Sequence, residues 1–164
     1  MRGKVWKFGN NVDTDAITPG KYMSAPEAEL MKHVLEVINP RFAREVKPGD
    51  IIVAGSNFGC GSSRESAPAA LKTLGIGAIV AESFARIFFR NSIAIALPVV
   101  TCPDVSDGFA EGDELRLDPA SGKITNLTTG KTLNAQPLPE QMLEVLSKGG
   151  VVPLLKEIAS KGTE

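Results

Sequence analysis

The sequence has one histidine, His33, and two cysteines, Cys60 and Cys102. That inventory cannot build a four-ligand Cys/His metal centre, and an iron–sulfur cluster would also lack ligands. Any metal chemistry must borrow its ligands from another chain. Two cysteines in a cytosolic chain of 164 residues do not suggest a structural disulfide. Also missing is any apolar run near the ~20 residues that span a bilayer. The first residues, Met1-Arg2-Gly3-Lys4-Val5-Trp6, lack the apolar core of a signal peptide, so the expected compartment is the cytoplasm. There is no excess of one charge. A formal net charge of -1 offers no basic surface to nucleic acid or to an anionic membrane. Internal repeats, low-complexity tracts and charge runs are absent as well.

What is present suits one domain covering residues 1–164, with enough apolar sequence to bury a core without staples. Three short apolar runs, Ile51-Ile52-Val53-Ala54, Ala78-Ile79-Val80-Ala81 and residues 97–101, predict buried strands. Helical segments lie between them, one ending at Gly75 and the next spanning residues 84–95 with Ser83 as its cap. Alternating strands and helices imply a parallel βαβαβ core with right-handed crossovers. Val5-Trp6-Lys7-Phe8 predicts a short first strand. Pro26-Glu27-Ala28-Glu29 opens a helix with an apolar stripe of Leu30, Val34, Leu35 and Ile38, ended by Pro40. After Cys102, alternation at residues 114–117, 123–128 and 132–133 predicts a small antiparallel unit, followed by two closing helices. The expected fold is α/β with a mixed sheet.

Chemistry concentrates in Gly59-Cys60-Gly61-Ser62-Ser63-Arg64-Glu65, between the Ile51 strand and an Ala/Leu-rich helix. A glycine-rich strand-to-helix turn gathers backbone N–H groups beside a positive helix end. Arg64 can grip a carboxylate bidentately. Two readings are open: a carboxylate- or phosphate-binding turn whose serine does chemistry, or a capping box formed by Ser62 and Glu65. Pro68 is awkward inside a helix, so the turn at residues 62–65 is expected to stand apart from a regular helix beginning near Pro68. Upstream, the turn-rich stretch at residues 9–20 carries Asp13 and Asp15, which would point the same way on an extended backbone. His33 reads as a surface or half-buried side chain rather than a ligand. Cys60 is either a small residue fitting a tight turn or a redox-sensitive thiol.

Three segments together resemble the family of 3-isopropylmalate dehydratase small subunits, homologous to the swivelling C-terminal domain of aconitase. They are Asn11-Val12-Asp13-Thr14-Asp15-Ala16-Ile17, then residues 55–65 with Ala67-Pro68, then Glu82-Ser83-Phe84-Ala85-Arg86-Ile87-Phe88-Phe89-Arg90-Asn91. The resemblance implies a three-layer β/β/α swivelling domain. It also implies a hydro-lyase split over two chains, acting on a small 2-hydroxy diacid. No cofactor belongs to this chain; a [4Fe–4S] cluster is expected in the large subunit, as heterodimer or heterotetramer. A homo-oligomer is open for the isolated chain. By position in the motif, Ser62 is the catalytic base, Ser63 and Arg64 bind a substrate carboxylate, and Asp15 orients a histidine of the large subunit. Asp13 is expected to form a structural Asx turn. Tyr22, Met23 and Ser24 correspond to the substrate-discriminating loop, which lacks the arginine of homoaconitase-like members. Its uncharged character favours isopropylmalate, with citramalate, dimethylmalate or homoaconitate as alternatives. A carboxylate-binding domain without catalysis is the rival from another class. Ser66 departs from the histidine of most aconitase-like members, as it does in the short archaeal-like small subunits. Arg86 and Arg90 are left without a role.

Overall fold

A computed structural model describes residues 1–162. In chain order these form β1 (Arg2–Lys7), α1 (Thr14–Ile17), α2 (Glu27–Met31), α3 (Phe42–Glu45), β2 (Ile51–Ala54), α4 (Ser66–Thr73), β3 (Ala78–Ala81), α5 (Arg86–Ala94), β4 (Val99–Thr101), α6 (Val105–Gly108), β5 (Glu114–Leu117), β6 (Lys123–Asn126), β7 (Thr132–Asn134), α7 (Glu140–Ser147) and α8 (Val151–Lys161). Among the described residues, seven strands join in the order β4-β3-β2-β1-β5-β6-β7.

The β1–β4 side is parallel throughout, with Ile52 opposite Ile79 and Val80 opposite Val100. Parallel strands need crossovers that cover them, and α4 and α5 serve here. Every residue of β2 and β3 is buried, as unbroken Ile/Val/Ala runs require. The β5–β7 side is the expected antiparallel unit. β1 belongs to both sides. Its first half, Arg2 to Lys4, pairs antiparallel with β5, while Val5 to Lys7 pair in parallel with β2. The core runs across this junction. Trp6 and Phe8 meet Phe42 edge to face at 5.3 and 5.7 Å. The buried Trp6 indole N–H donates to Asp50 Oδ2 at 2.9 Å, so its polar atom is satisfied.

Several local expectations change. The helix predicted from Pro26 to Pro40 is only α2 followed by turns. α2 ends at Met31; further on, Leu35 takes φ 58° and sends its N–H to Ile17 O at 3.1 Å, a turn that keeps Val34 and Leu35 buried; Ile38 is exposed. β1 starts at Arg2 because β5 offers a partner for its first half. α5 starts at Arg86, not after a Ser83 cap, because Ser83 Oγ accepts the Asn57 N–H at 2.8 Å. β4 starts at Val99, since Leu97 N–H still closes α5 by bonding Ser92 O at 2.9 Å. Pro68 is the third residue of α4, where its missing N–H costs nothing. Gly75, at φ 94°, follows the C-cap of α4, and Ile76 N–H bonds Leu71 O at 3.1 Å, a Schellman closure.

Candidate active site

The stretch from Asn10 to Ile17 supports the turn at residues 59–65 from below. Asp13 caps α1, its Oδ1 accepting the Ala16 N–H at 2.7 Å, as its Asx reading expects. The backbone is helical from Thr14, so Asp13 and Asp15 do not share an extended face. Thr14 N–H donates to Cys60 O at 2.9 Å, and Gly59 N–H donates to Val12 O at 2.7 Å. Gly59 is at φ 81°, and a Cβ there would stand 2.1 Å from Phe88 Cγ. Only glycine lets the turn lie this close to α5. On the other side, Phe58 N–H donates to Ser83 O and Ala85 N–H to Phe58 O.

Thr14 is buried and turns its hydroxyl up into the turn. Its Oγ1 lies 3.1 Å from Ser62 O and 3.1 Å from Ser62 Oγ. A threonine hydroxyl has one hydrogen and two lone pairs. When it donates to the Ser62 carbonyl, it accepts from the Ser62 hydroxyl; when it rotates, it donates to Ser62 Oγ. Ser62 and Ser63 are exposed. The capping box is not made: α4 begins four residues after Ser62, at Ser66, with no side-chain cap. Among the described residues, the N–H groups of Ser62, Ser63 and Arg64 have no acceptor.

Arg64 Nη1 donates to Asp15 Oδ1 at 2.9 Å and to Thr18 O at 2.9 Å. Asp15 Oδ1 also accepts the Gly20 N–H at 3.0 Å. The Arg64 hydrogen bond, then the Gly20 N–H, hold the Asp15 carboxyl below the usual carboxylate range. Both bonds of the guanidinium leave from Nη1, so its Nη2 and Nε make no hydrogen bond among the described residues, and Nη2 lies beside Gly20. The Gly20–Tyr22 turn packs over this pair. Met23 Sδ lies 3.7 Å from Ser66 Oγ, and Ser66 Oγ lies 3.4 Å from Thr18 Oγ1. Met23 is thereby brought to the site, Tyr22 ends the turn that packs over the Arg64–Asp15 pair, and Ser24 is exposed.

Thr14 and Thr18 do not stand out in the sequence as site residues. Thr14 had one signal, a position between two aspartates opposite the turn, and Thr18 acts through a carbonyl that carries none. Arg86 and Arg90 are exposed on α5. Cys60 is half-buried and Cys102 is buried. Among the described residues no three His, Cys, Asp or Glu side chains are grouped to hold a metal ion.

Comparison with known proteins gives a consistent family. Residues 6–104 match the aconitase C-terminal domain, a stretch that contains the whole site. The isopropylmalate/citramalate isomerase small subunit of Methanocaldococcus jannaschii is 55% identical over 159 residues, covering 96% of this chain and 94% of that protein. The 3-isopropylmalate dehydratase small subunit of Thermodesulfovibrio yellowstonii is 52% identical, with the same coverage of 96% and 94%. A crystal structure of 3-isopropylmalate dehydratase from Methanocaldococcus jannaschii superposes with a TM-score of 0.91 at 40% identity, covering 99% of this chain and 96% of that one. On the family match, these identities and that shared fold, the chain belongs to the aconitase C-terminal domain family.

Proposed function

We propose that this chain is the small subunit of a two-chain hydro-lyase that interconverts 2-isopropylmalate and 3-isopropylmalate by removing and re-adding water, a step of leucine biosynthesis in the cytoplasm. The names of its relatives support that reading. The observation that carries it is the Ser62–Thr14 hydroxyl pair at 3.1 Å, two residues from an arginine whose Nη2 and Nε are unpaired among the described residues.

The Nη2/Nε edge of Arg64, with the Ser63 hydroxyl, grips a substrate carboxylate. Ser62 Oγ, acting as the alkoxide, takes the proton alpha to that carboxylate and becomes the neutral hydroxyl. A free serine is far too weak an acid to act as an alkoxide, so its charge must be stabilised in place. Three groups of this chain can do so: the unpaired N–H groups of the turn, the Arg64 guanidinium, and the Thr14 hydroxyl rotated to donate to Ser62 Oγ. Asp15 spends Oδ1 within the chain, which leaves Oδ2 to orient a donor, expected to be a histidine, from the large subunit. We assign the iron–sulfur cluster to that partner, in a heterodimer or heterotetramer; when bound it supplies Lewis acidity toward the substrate hydroxyl. The loop at residues 22–24 brings no cation, which suits an alkyl substituent rather than a third carboxylate.

Anaerobic reconstitution with the large subunit, following alkene absorbance on isopropylmalate, citramalate, dimethylmalate and homocitrate, tests the reading. Turnover should need both chains, favour an alkylmalate over homocitrate, and fall about 100- to 10,000-fold in Ser62→Ala. No turnover on any diacid by an intact complex would overturn the lyase reading in favour of a binding role. Full activity in Ser62→Ala would remove the serine from the chemistry.

A further inference from the structure

We propose that His33 is a positioning residue for the substrate loop, holding residues 20–24 over Arg64 by stacking on Tyr22 while two carboxylates fix its own ring. The rings of Tyr22 and His33 are parallel to within 4° with centroids 3.7 Å apart. His33 Nδ1 lies 2.6 Å from Glu36 Oε2, and Nε2 lies 3.0 Å from Glu29 Oε1. A neutral imidazole has only one N–H and would aim a lone pair at one carboxylate. Only the imidazolium makes both bonds, so the clamped ring is the charged one.

The clamp is continuous with the site. Tyr22 closes the Gly20–Tyr22 turn, whose first N–H bonds Asp15, and Met23, the next residue, reaches Ser66. Tilting Tyr22 therefore moves Gly20, which lies against Arg64, and Met23, which rests on Ser66. The charged and titratable groups around the stack are Glu29, Glu36, Lys32, which lies 3.4 Å from Glu29, and Lys21, whose Nζ stands 5.1 Å from the Tyr22 ring centroid. Hydrogen bonds to Glu36 first and Glu29 second raise the His33 pKa. A raised value means the clamp is complete below the ordinary histidine range and is released as pH climbs through the raised midpoint. The role in substrate selection rests on the proposed function; the clamp itself does not.

The chain has one histidine and one tyrosine, so their ring signals in an NMR spectrum of the isolated chain are assigned without ambiguity. Expected are a cross-relaxation peak between the two rings and a His33 midpoint above about 6.5. The Tyr22 signals should move with the same midpoint, and Glu36→Gln should lower it. Absence of the ring–ring peak, or Tyr22 signals indifferent to His33 titration, would overturn the clamp. In the reconstituted enzyme, His33→Ala should raise KM for isopropylmalate about three- to tenfold with little change in kcat, the range lost with an aromatic pair. His33→Phe keeps the stack without the charge, and should hold KM nearly flat across the pH range where the wild-type KM rises. Unchanged KM and unchanged alkylmalate selectivity in both variants would remove His33 from loop positioning. A wild-type complex that turns over no diacid would instead strike the proposed function, while the NMR result still decides the clamp.

Discussion

Thr14 is the residue whose removal separates support of the turn from chemistry. It is buried, its N–H already bonds Cys60 O, and its hydroxyl is shared between the carbonyl and the hydroxyl of Ser62. Thr14→Val keeps the shape and the backbone bond and deletes only the hydroxyl. The loss of one buried hydrogen bond should cost about 1 kcal/mol of stability. If the hydroxyl swings to hold the Ser62 alkoxide that serves as base, kcat should fall about 10- to 100-fold with KM nearly unchanged, in line with removal of an oxyanion donor. Steady-state kinetics of the reconstituted variant beside its thermal midpoint checks both, and a stability loss without a change in kcat would make Thr14 purely structural. Ser62, Ser63, Arg64 and Asp15 were legible because their side chains carry chemistry and their order matches a motif. Thr14 was not, since a threonine between two aspartates in a turn-rich stretch reads as a helix start, which it also is. The pairing of Arg64 with Asp15 was hidden for another reason: the two lie 49 positions apart, and only the docking of α1 against α4 joins them.

At the scale of elements, the site depends on how closely the turn at residues 59–65 approaches α5. Gly59 sits at φ 81° with the Phe88 ring filling the space a side chain would need, and Phe88 packs edge to face on Phe58 at 5.3 Å. Gly59→Ala adds a left-handed backbone penalty to a clash in a packed cluster. Together these should destabilise the chain by about 2–5 kcal/mol. Chemical denaturation measures it, and a loss under about 1 kcal/mol would mean the turn can lift from α5 freely. The strands were legible wherever a run was fully buried, as β2 and β3 are, because nothing else accounts for unbroken Ile/Val/Ala. Element ends were less so. The stripe of Leu30, Val34 and Leu35 has helical spacing and is buried, yet the helix ends at Met31 and Leu35 bonds Ile17 instead, a tertiary choice that no local pattern records. Ser83 has the character of a cap but serves Asn57 instead. The capping box of Ser62 and Glu65 failed the same way: two residues suited to a helix start were recruited to the turn.

For the whole molecule, the strand shared by the two half-sheets predicts cooperative behaviour. β1 gives Arg2, Gly3 and Lys4 to β5 and Val5, Trp6 and Lys7 to β2. Neither half-sheet can lose it without exposing the edge of the other, and an exposed edge leaves a row of unpaired N–H and C=O groups. Trp6, the only tryptophan, lies on the parallel half of this strand, is buried, and bonds Asp50 across to the start of β2. Its fluorescence therefore reports on the parallel half. The far-ultraviolet circular dichroism reports on both halves together with the helices. If β1 locks the halves into one unit, urea unfolding of the isolated chain should give coincident transitions by the two probes, with a single midpoint. Separate midpoints, with tryptophan lagging or leading, would divide the chain into a parallel core and an antiparallel appendage that fold apart. The same experiment bears on function. A site assembled from α1, the turn after β2 and the start of α4 lies wholly on the parallel half. One shared transition would mean that stabilising the distant β5–β7 unit also stabilises the site; two would mean that the site stands or falls with the parallel core alone.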